Sequence, residues 1–212
     1  PPARAMSPDK DWESMWSAGG GLKPGEAFDA NRCEPSLQAL IDAGALPSGR
    51  ALVPGCGRGY AVAALASATR HVTGLEISAT AKAAADAHLA SAGLSAGDRA
   101  TVLVDDFFAH DPGFRYDLAF DSTFLCAIPP ARREEWAETY ARLIRPGGEL
   151  VSNVFPIGDF EGGPPFALTP ETVERLLVPR GFRVVSLEET PEHLWARGRP
   201  EFLYRFERKA DE

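Results

Sequence analysis

The run Arg50-Ala-Leu-Val-Pro-Gly55-Cys-Gly57-Arg-Gly59-Tyr60 decides how the chain is read. Apolar residues ahead of Pro54 predict a short buried strand, and the alanine-rich stretch that follows predicts a helix. Between them the glycines alternate as G-x-G-x-G. Missing Cβ atoms let a ligand approach the backbone closely, and the N–H groups that open the next helix point at whatever is bound. Ordinary strand-to-helix turns share this spacing, so the turn alone leaves both readings open.

The next run, His71-Val-Thr-Gly-Leu-Glu76-Ile-Ser78, is a second strand ending in an acid. It falls about 20 residues beyond the glycines, where a carboxylate accepts the hydroxyls of a ribose. A dinucleotide turn spaces its glycines G-x-G-x-x-G so that the pyrophosphate lies on the helix. The spacing here, with Cys56 between two glycines, suits a ligand without a diphosphate, such as S-adenosylmethionine.

Outward from these runs the chain alternates. Helices are expected over 35–43, 59–68, 79–92, 130–144 and from Thr169-Pro170 to about residue 179. Strands are expected over 100–104, 116–121 and 149–155, with a last antiparallel pair at 182–188 and 201–207 joined by a short loop. That rhythm implies an α/β fold: one domain, a doubly wound Rossmann-like sheet of seven strands, mostly parallel with one antiparallel. Ser78 caps one helix, Gly93 ends it, and Arg145-Pro-Gly-Gly148 closes another. The loop 156–168, rich in proline and glycine, is expected at the same sheet edge as the glycine turn. Ahead of the domain body at 36–212, residues 1–35 read as an N-terminal segment of the same domain. Trp12 and Trp16 share one face of a short helix there, followed by the flexible loop 17–31 carrying Phe28. These aromatics either close the bottom of the core or form a hinged lid over a ligand.

Composition narrows the function. With 212 residues, 44% of them hydrophobic, the chain buries one sizeable core. A net charge of -8 and scattered basic residues exclude a nucleic-acid surface. Four histidines, at 71, 88, 110 and 193, lack metal-ligand spacing, and no metal is expected. Cys33, Cys56 and Cys126 form no C-x-x-C pair. Residues 1–10 lack the apolar core of a signal peptide and no run approaches transmembrane length, so the reading is a soluble, cytoplasmic protein with no membrane partner. Nothing in the sequence specifies an oligomeric state.

Taken together, these motifs resemble the class I S-adenosylmethionine-dependent methyltransferases, and within them the thiopurine and thiol/halide S-methyltransferase family. The likeness rests on Trp12 and Trp16, Leu52-Val-Pro-Gly-Cys-Gly-Arg-Gly59, Gly74-Leu-Glu-Ile-Ser78, Asp106-Phe-Phe108, Phe120-Asp121 with Phe124-Leu-Cys-Ala-Ile128, Arg145-Pro-Gly-Gly148 and Gly162-Gly-Pro-Pro165. Val-Pro-Gly-Cys-Gly is specific to that branch, because most class I enzymes carry an acid where Pro54 stands. The resemblance implies S-adenosylmethionine as cofactor, S-adenosylhomocysteine as product and a small-molecule methyl acceptor. It puts Gly55 and Gly57 on the methionine part, Glu76 on the ribose hydroxyls and Ile77 on the adenine. Asp106 and the Phe107 N–H would meet the adenine edge, and Asp121 would lie near the methionine amino group. Trp12, Trp16 and Phe28 look like the family's aromatic cover. Phe28 and Phe124 are also candidates for the acceptor side, as is Arg133, or Arg132 beside it. Plant halide and thiol enzymes carry Trp-Asp where this chain has Phe28-Asp29.

The residues show no general-base constellation. A soft anion needs none, so a thiol, thiopurine or halide acceptor is favoured over an oxygen or nitrogen one. A cofactor-binding protein without catalysis stays open beside these. Cys126 reads as a buried residue rather than a nucleophile, since direct methyl transfer requires no covalent intermediate. Asp105 reads equally as a helix cap or a ligand residue.

Overall fold

The computed structural model describes residues 10–94 and 99–210; residues 1–9 of the expected N-terminal segment lie outside them. β1 (Gly49–Pro54) forms where the apolar run predicts it, with its last four residues buried. It pairs in parallel with β2 (Arg70–Glu76) on one side and β4 (Tyr116–Ser122) on the other. β3 (Ala100–Val104) extends the sheet beyond β2, and β5 (Ile144–Val154) extends it beyond β4, both in parallel. β7 (Phe202–Arg208) then lies antiparallel between β5 and β6 (Phe182–Glu189), giving the order β3-β2-β1-β4-β5-β7-β6. The sheet is therefore seven-stranded, with β7 the one reversed strand.

Strand residues alternate between two cores. Val53, Val72, Val102 and Leu118 face α2 (Pro35–Asp42), α3 (Tyr60–Leu65) and α4 (Ala79–Ser91), which contribute Leu37, Val62, Leu65, Ala85 and Leu89. Leu52, Leu75, Ala119, Leu150 and Phe206 face the other way, under α5 (Arg133–Leu143) and α6 (Pro170–Leu177). There Trp136, Tyr140, Leu143, Val173 and Leu177 fill the space. Trp136 and Tyr140 are fully buried, and each such aromatic removes about 150–250 Å² from water. Gly74 permits the close fit on the first face: a Cβ there would lie 2.8 Å from Cys56 Sγ and 2.9 Å from Val62 Cγ2. Thr169 caps α6 by accepting from the Thr172 N–H at 3.2 Å.

Two expected helices change their ends. The one expected over 59–68 stops at Leu65, because the Arg70 guanidinium takes the carbonyls of Leu65 and Pro47, each at 2.9 Å. Ser67 and Arg70 then pair across a tight turn. The helix expected over 130–144 opens as a 3-10 turn, Pro130–Arg132, and yields to β5 already at Ile144. Arg145-Pro-Gly-Gly148 is thus part of a strand. Ile144 pairs with Tyr116, the register shifts, and Glu149 pairs with Leu118, while Arg145 Nε donates to Asp117 Oδ1 at 2.5 Å.

Candidate active site

A cavity of about 700 Å³ opens along the carboxyl edge of the sheet. In spatial order its floor is Asp105 to Phe108 after β3, Glu76 and Ile77 at β2, Gly55 to Arg58 after β1, Ser122 to Phe124 at β4, and Phe155 after β5. The chain's winding reverses between β1 and β4, and open α/β sheets bind ligands at that switch point. Pro164 and Pro165, from the proline-rich loop, complete one wall where that loop was expected.

On the β3-β2-β1 side the groups suit a nucleoside. Glu76 is 7% exposed, and its carboxylate accepts from the N–H of Gly57 at 2.8 Å and of Ser78 at 3.4 Å. Burial pushes this carboxyl above its ordinary value against the pull of those N–H groups. Ile77 beside it is 60% exposed, an unusual state for an isoleucine at a strand end and one that a flat apolar ring would relieve. Asp106 stands exposed at the rim, its carboxylate accepting from the Phe108 N–H at 3.0 Å, and Phe107 is buried behind it. Asp105 caps no helix: it lines the cavity, accepts from the Asp106 N–H at 2.9 Å and meets His110 Nδ1 at 2.6 Å. His110 Nε2 lies 2.9 Å from the Tyr116 hydroxyl, so a chain of polar groups running from the half-exposed Asp105 to the buried His110 and Tyr116 fixes the turn that carries Asp106.

The aromatic cover assembles from residues far from the sheet. α1 (Trp12–Ser17) and the loop after it bring Trp12 and Trp16 to Phe28, each pair of ring centroids 5.8 Å apart. Trp16 is 3% exposed and packs over the glycine turn, where a Cβ on Gly57 would sit 3.5 Å from its ring. A Cβ on Gly55 would meet the Phe124 ring at 2.5 Å, and both glycines have positive φ. Glu13 ties α1 to the start of α4, accepting from Ser78 Oγ at 2.6 Å, from the Thr80 N–H at 3.2 Å and from the Thr80 hydroxyl. Arg58, inside the turn itself, donates to Asp29 Oδ2 at 2.8 Å and to the Leu22 carbonyl at 2.7 Å. The place of Arg58 between two turn glycines is the one signal of this role in the sequence.

Two expected site residues lie elsewhere. Asp121 was expected near the methionine amino group. Instead it is 1% exposed and outside the cavity lining, accepting from Trp136 Nε1 at 2.9 Å, the Tyr140 hydroxyl at 3.0 Å and the Leu125 N–H at 3.2 Å. Strand alternation turns it toward α5, which offers those two aromatic donors at i, i+4 spacing. Arg133, the expected acceptor-side arginine, also lies outside the lining and donates to the Ala167 carbonyl at 3.1 Å. Arg132 is the one that reaches the cavity, with its guanidinium 3.8 Å from the Phe108 ring centroid.

The β4-β5 side is walled by Phe28, Phe124, Phe155, Cys126, Glu34 and Arg197. Glu34, Arg197 and Arg199 were not anticipated, and no local pattern marks them. Burial pushes the Cys126 thiol up to about 12, so it holds its proton at neutral pH.

Over residues 7–201 the sequence matches the model of the thiopurine S-methyltransferase family. The chain belongs to that family. Among its relatives, a protein named probable thiol methyltransferase 2 of Arabidopsis thaliana is 41% identical over 176 residues, 83% of this chain and 75% of that protein. Thiocyanate methyltransferase 1 of Brassica oleracea is 40% identical over 198 residues, 93% of this chain and 84% of that one. Solved structures share the fold at lower identity. The N-methyltransferase NodS of Bradyrhizobium japonicum, in complex with S-adenosyl-L-homocysteine, superposes with a TM-score of 0.67 at 14% identity, covering 92% of this chain and 95% of NodS. A structure reported for the conversion of a disulfide bond into a thioacetal group during echinomycin biosynthesis gives 0.72 at 22% identity, covering 91% and 88%. As a thiopurine S-methyltransferase family member the chain is an S-adenosylmethionine-dependent methyltransferase acting on a small molecule. Its residues fit that cofactor: a Cβ-free turn, a buried carboxylate held by backbone N–H groups, and an exposed isoleucine beside it. No helix among the described residues is long and apolar enough to cross a membrane.

Proposed function

We propose that this enzyme methylates a small soft nucleophile, a thiol or a thiocyanate-like anion. The observation that carries the reading is the 40% identity to a thiocyanate methyltransferase across 93% of the chain. The aromatic lining of the cavity supports it. When bound, S-adenosylmethionine supplies an electrophilic methyl group on a sulfonium.

In this reading Glu76 holds the ribose hydroxyls, Ile77 packs on the adenine, Asp106 takes its amino group and the Phe107 N–H meets a ring nitrogen. Gly55 and Gly57 leave room for the methionine part. Residues 12–31 act as a lid: Trp12, Trp16 and Phe28 exclude water, held down by Glu13 and Arg58. Exclusion of water matters because a soft anion meeting a sulfonium annihilates charge, which a dry cavity favours over solvated reactants. The remaining work is alignment of nucleophile, methyl carbon and leaving sulfur, worth up to about 7–11 kcal/mol of barrier when the geometry is right. Three free cysteines suit a reducing, cytoplasmic setting.

A panel of thiocyanate, halides, thiols, thiopurines, phenols and amines, read as S-adenosylhomocysteine released, tests the acceptor class. Thiols or thiocyanate should give the highest kcat/KM. A phenol or amine that outruns all of them overturns the reading.

A further inference from the structure

Two adjacent acids, Asp105 and Asp106, follow β3, and both line the cavity. A nucleobase needs one of them aimed at its edge and the other held aside, because two carboxylates crowded onto one donor repel each other. The structure separates their roles. Asp105 is claimed by His110, whose Nδ1 lies 2.6 Å from Asp105 Oδ2. On the Asp106 carboxylate only Oδ1 is engaged among the described residues, by the Phe108 N–H at 3.0 Å, which leaves Oδ2 for an amino donor.

His110 is 4% exposed and bonded at both ring nitrogens. An ionised carboxylate can only accept, so Nδ1 carries the proton that Asp105 meets. Nε2 faces the Tyr116 hydroxyl at 2.9 Å, and a phenol both gives and takes hydrogen bonds, so that contact suits either form of the ring. Tyr116 opens β4, is fully buried and pairs with Ile144 of β5, so the histidine is fastened to the middle of the sheet. α5 holds the same turn from outside. Arg142 Nη1 donates to the His110 carbonyl at 2.6 Å and Nη2 to the Phe108 carbonyl at 3.2 Å. Water is able to serve Asp105 as well as a histidine does, since that side chain is 37% exposed. What a buried imidazole adds is direction, because its two nitrogens fix where the carboxylate, and hence the next residue, must lie.

We propose that His110 is a positioning residue for nucleobase selection: by tying Asp105 to Tyr116 it leaves Asp106 as the one carboxylate aimed at the base, and so makes the enzyme select a cofactor whose purine carries an amino group. This rests on the assignment of Asp106 to the adenine amino group above and adds what enforces it. Without the His110 link Asp105 is free to turn toward the same donor, and the aim of Asp106 is lost. Glu76 and the glycine turn stay in place, since their contacts do not pass through His110. The loss falls on recognition of the purine. The reacting sulfonium lies on the far side of the ribose from that ring, so alignment for transfer is untouched once the cofactor is bound.

The test compares, by calorimetry, S-adenosylhomocysteine with S-inosylhomocysteine, which carries a carbonyl oxygen in place of the purine amino group. Wild type should prefer the adenine ligand by about ten- to a hundredfold, the worth of one hydrogen bond to a charged group. His110→Phe keeps a ring of similar size and loses both bonds. There the preference should shrink to within about threefold, through weaker binding of S-adenosylhomocysteine alone, because S-inosylhomocysteine has no donor for Asp106. His110→Asn sets an amide nitrogen near the Nδ1 position and should keep part of the preference. Tyr116→Phe, which removes one hydroxyl, takes the place of His110→Phe should that variant fail to fold by circular dichroism. KM for S-adenosylmethionine should rise in the folded variant while kcat at saturation stays within about twofold. An unchanged preference in a folded variant overturns the proposal, and so does an equal loss for both ligands, which would mark His110 as a support of the fold only. A wild type that binds the two ligands alike overturns the Asp106 assignment itself and this proposal with it.

Discussion

Replacing Arg58 by methionine separates a lid from a core. Arg58 Nε and Nη2 hold Asp29 and the Leu22 carbonyl, and the side chains of Arg58 and Asp29 are only 14% and 2% exposed. Methionine removes the guanidinium that stands 5.5 Å from the Trp16 ring centroid and leaves the Asp29 carboxylate buried without its counter-charge. Breaking a buried pair from one side costs about 3–5 kcal/mol. Asp29 retains the Asn31 N–H at 2.7 Å, so the lower end applies. About 3 kcal/mol is roughly 150-fold in the equilibrium between closed and open loop. Part of that is absorbed by whatever excess stability the closed loop has, so S-adenosylhomocysteine affinity should fall by about ten- to a hundredfold. Calorimetry measures it, and limited proteolysis should show new cuts within residues 17–31 while the sheet stays intact. Adding Asp29→Asn should recover part of the loss, because the stranded charge is gone. Unchanged affinity in the folded variant refutes the argument. Global unfolding refutes it in the other direction, by showing that Trp16 and Phe28 belong to the core.

Other outcomes follow from the same contacts. Glu76→Gln should weaken S-adenosylhomocysteine binding by about tenfold or more, measured by calorimetry. The wild-type affinity should also decline with falling pH. The acceptor form of Glu76 is its carboxylate, and burial raises its pKa, so protonation removes it at a pH above the ordinary range of about 4.3; the Gln variant should lose that dependence. Asp121→Asn puts an amide nitrogen where Trp136 Nε1 and the Tyr140 hydroxyl both donate. The expected loss of about 2–4 kcal/mol lowers Tm by about 4–16 °C by calorimetry. Cys126 should resist iodoacetamide in the folded protein at pH 8, because its thiol ionises only near 12; rapid labelling in mass spectra contradicts the buried-thiol reading.

What was legible in the sequence is what is local. The Leu52 to Gly59 run needs only neighbouring residues to form strand and turn, and Glu76 follows from a fixed count along the next strand. The start of β5 was misread because Pro-Gly-Gly after a helix is a stop signal in isolation. Here pairing of Ile144 with Tyr116 and of Arg145 with Asp117 overrides it. Asp121 misled for a similar reason: a carboxylate at a strand end looks free for a ligand until Trp136 and Tyr140 claim it from another element. Choosing between Arg132 and Arg133 required the helix phase, which the 3-10 turn at Pro130 resets. Glu34 and Arg197 belong to the site only through contacts across 163 residues, beyond any spacing rule.

That separation bears on how the protein withstands proteolysis. The walls of the cavity meet where Arg197 reaches Phe28 and Glu34, 169 and 163 residues back along the chain. Contacts of such long range repay their loop-closure entropy last, so the cavity is completed after the elements that carry it. Methyl donor binds only the finished chamber and stabilises it by mass action, by about 2.7 kcal/mol at a hundredfold excess over its dissociation constant. Donor-saturated protein should therefore resist limited proteolysis longer than donor-free protein.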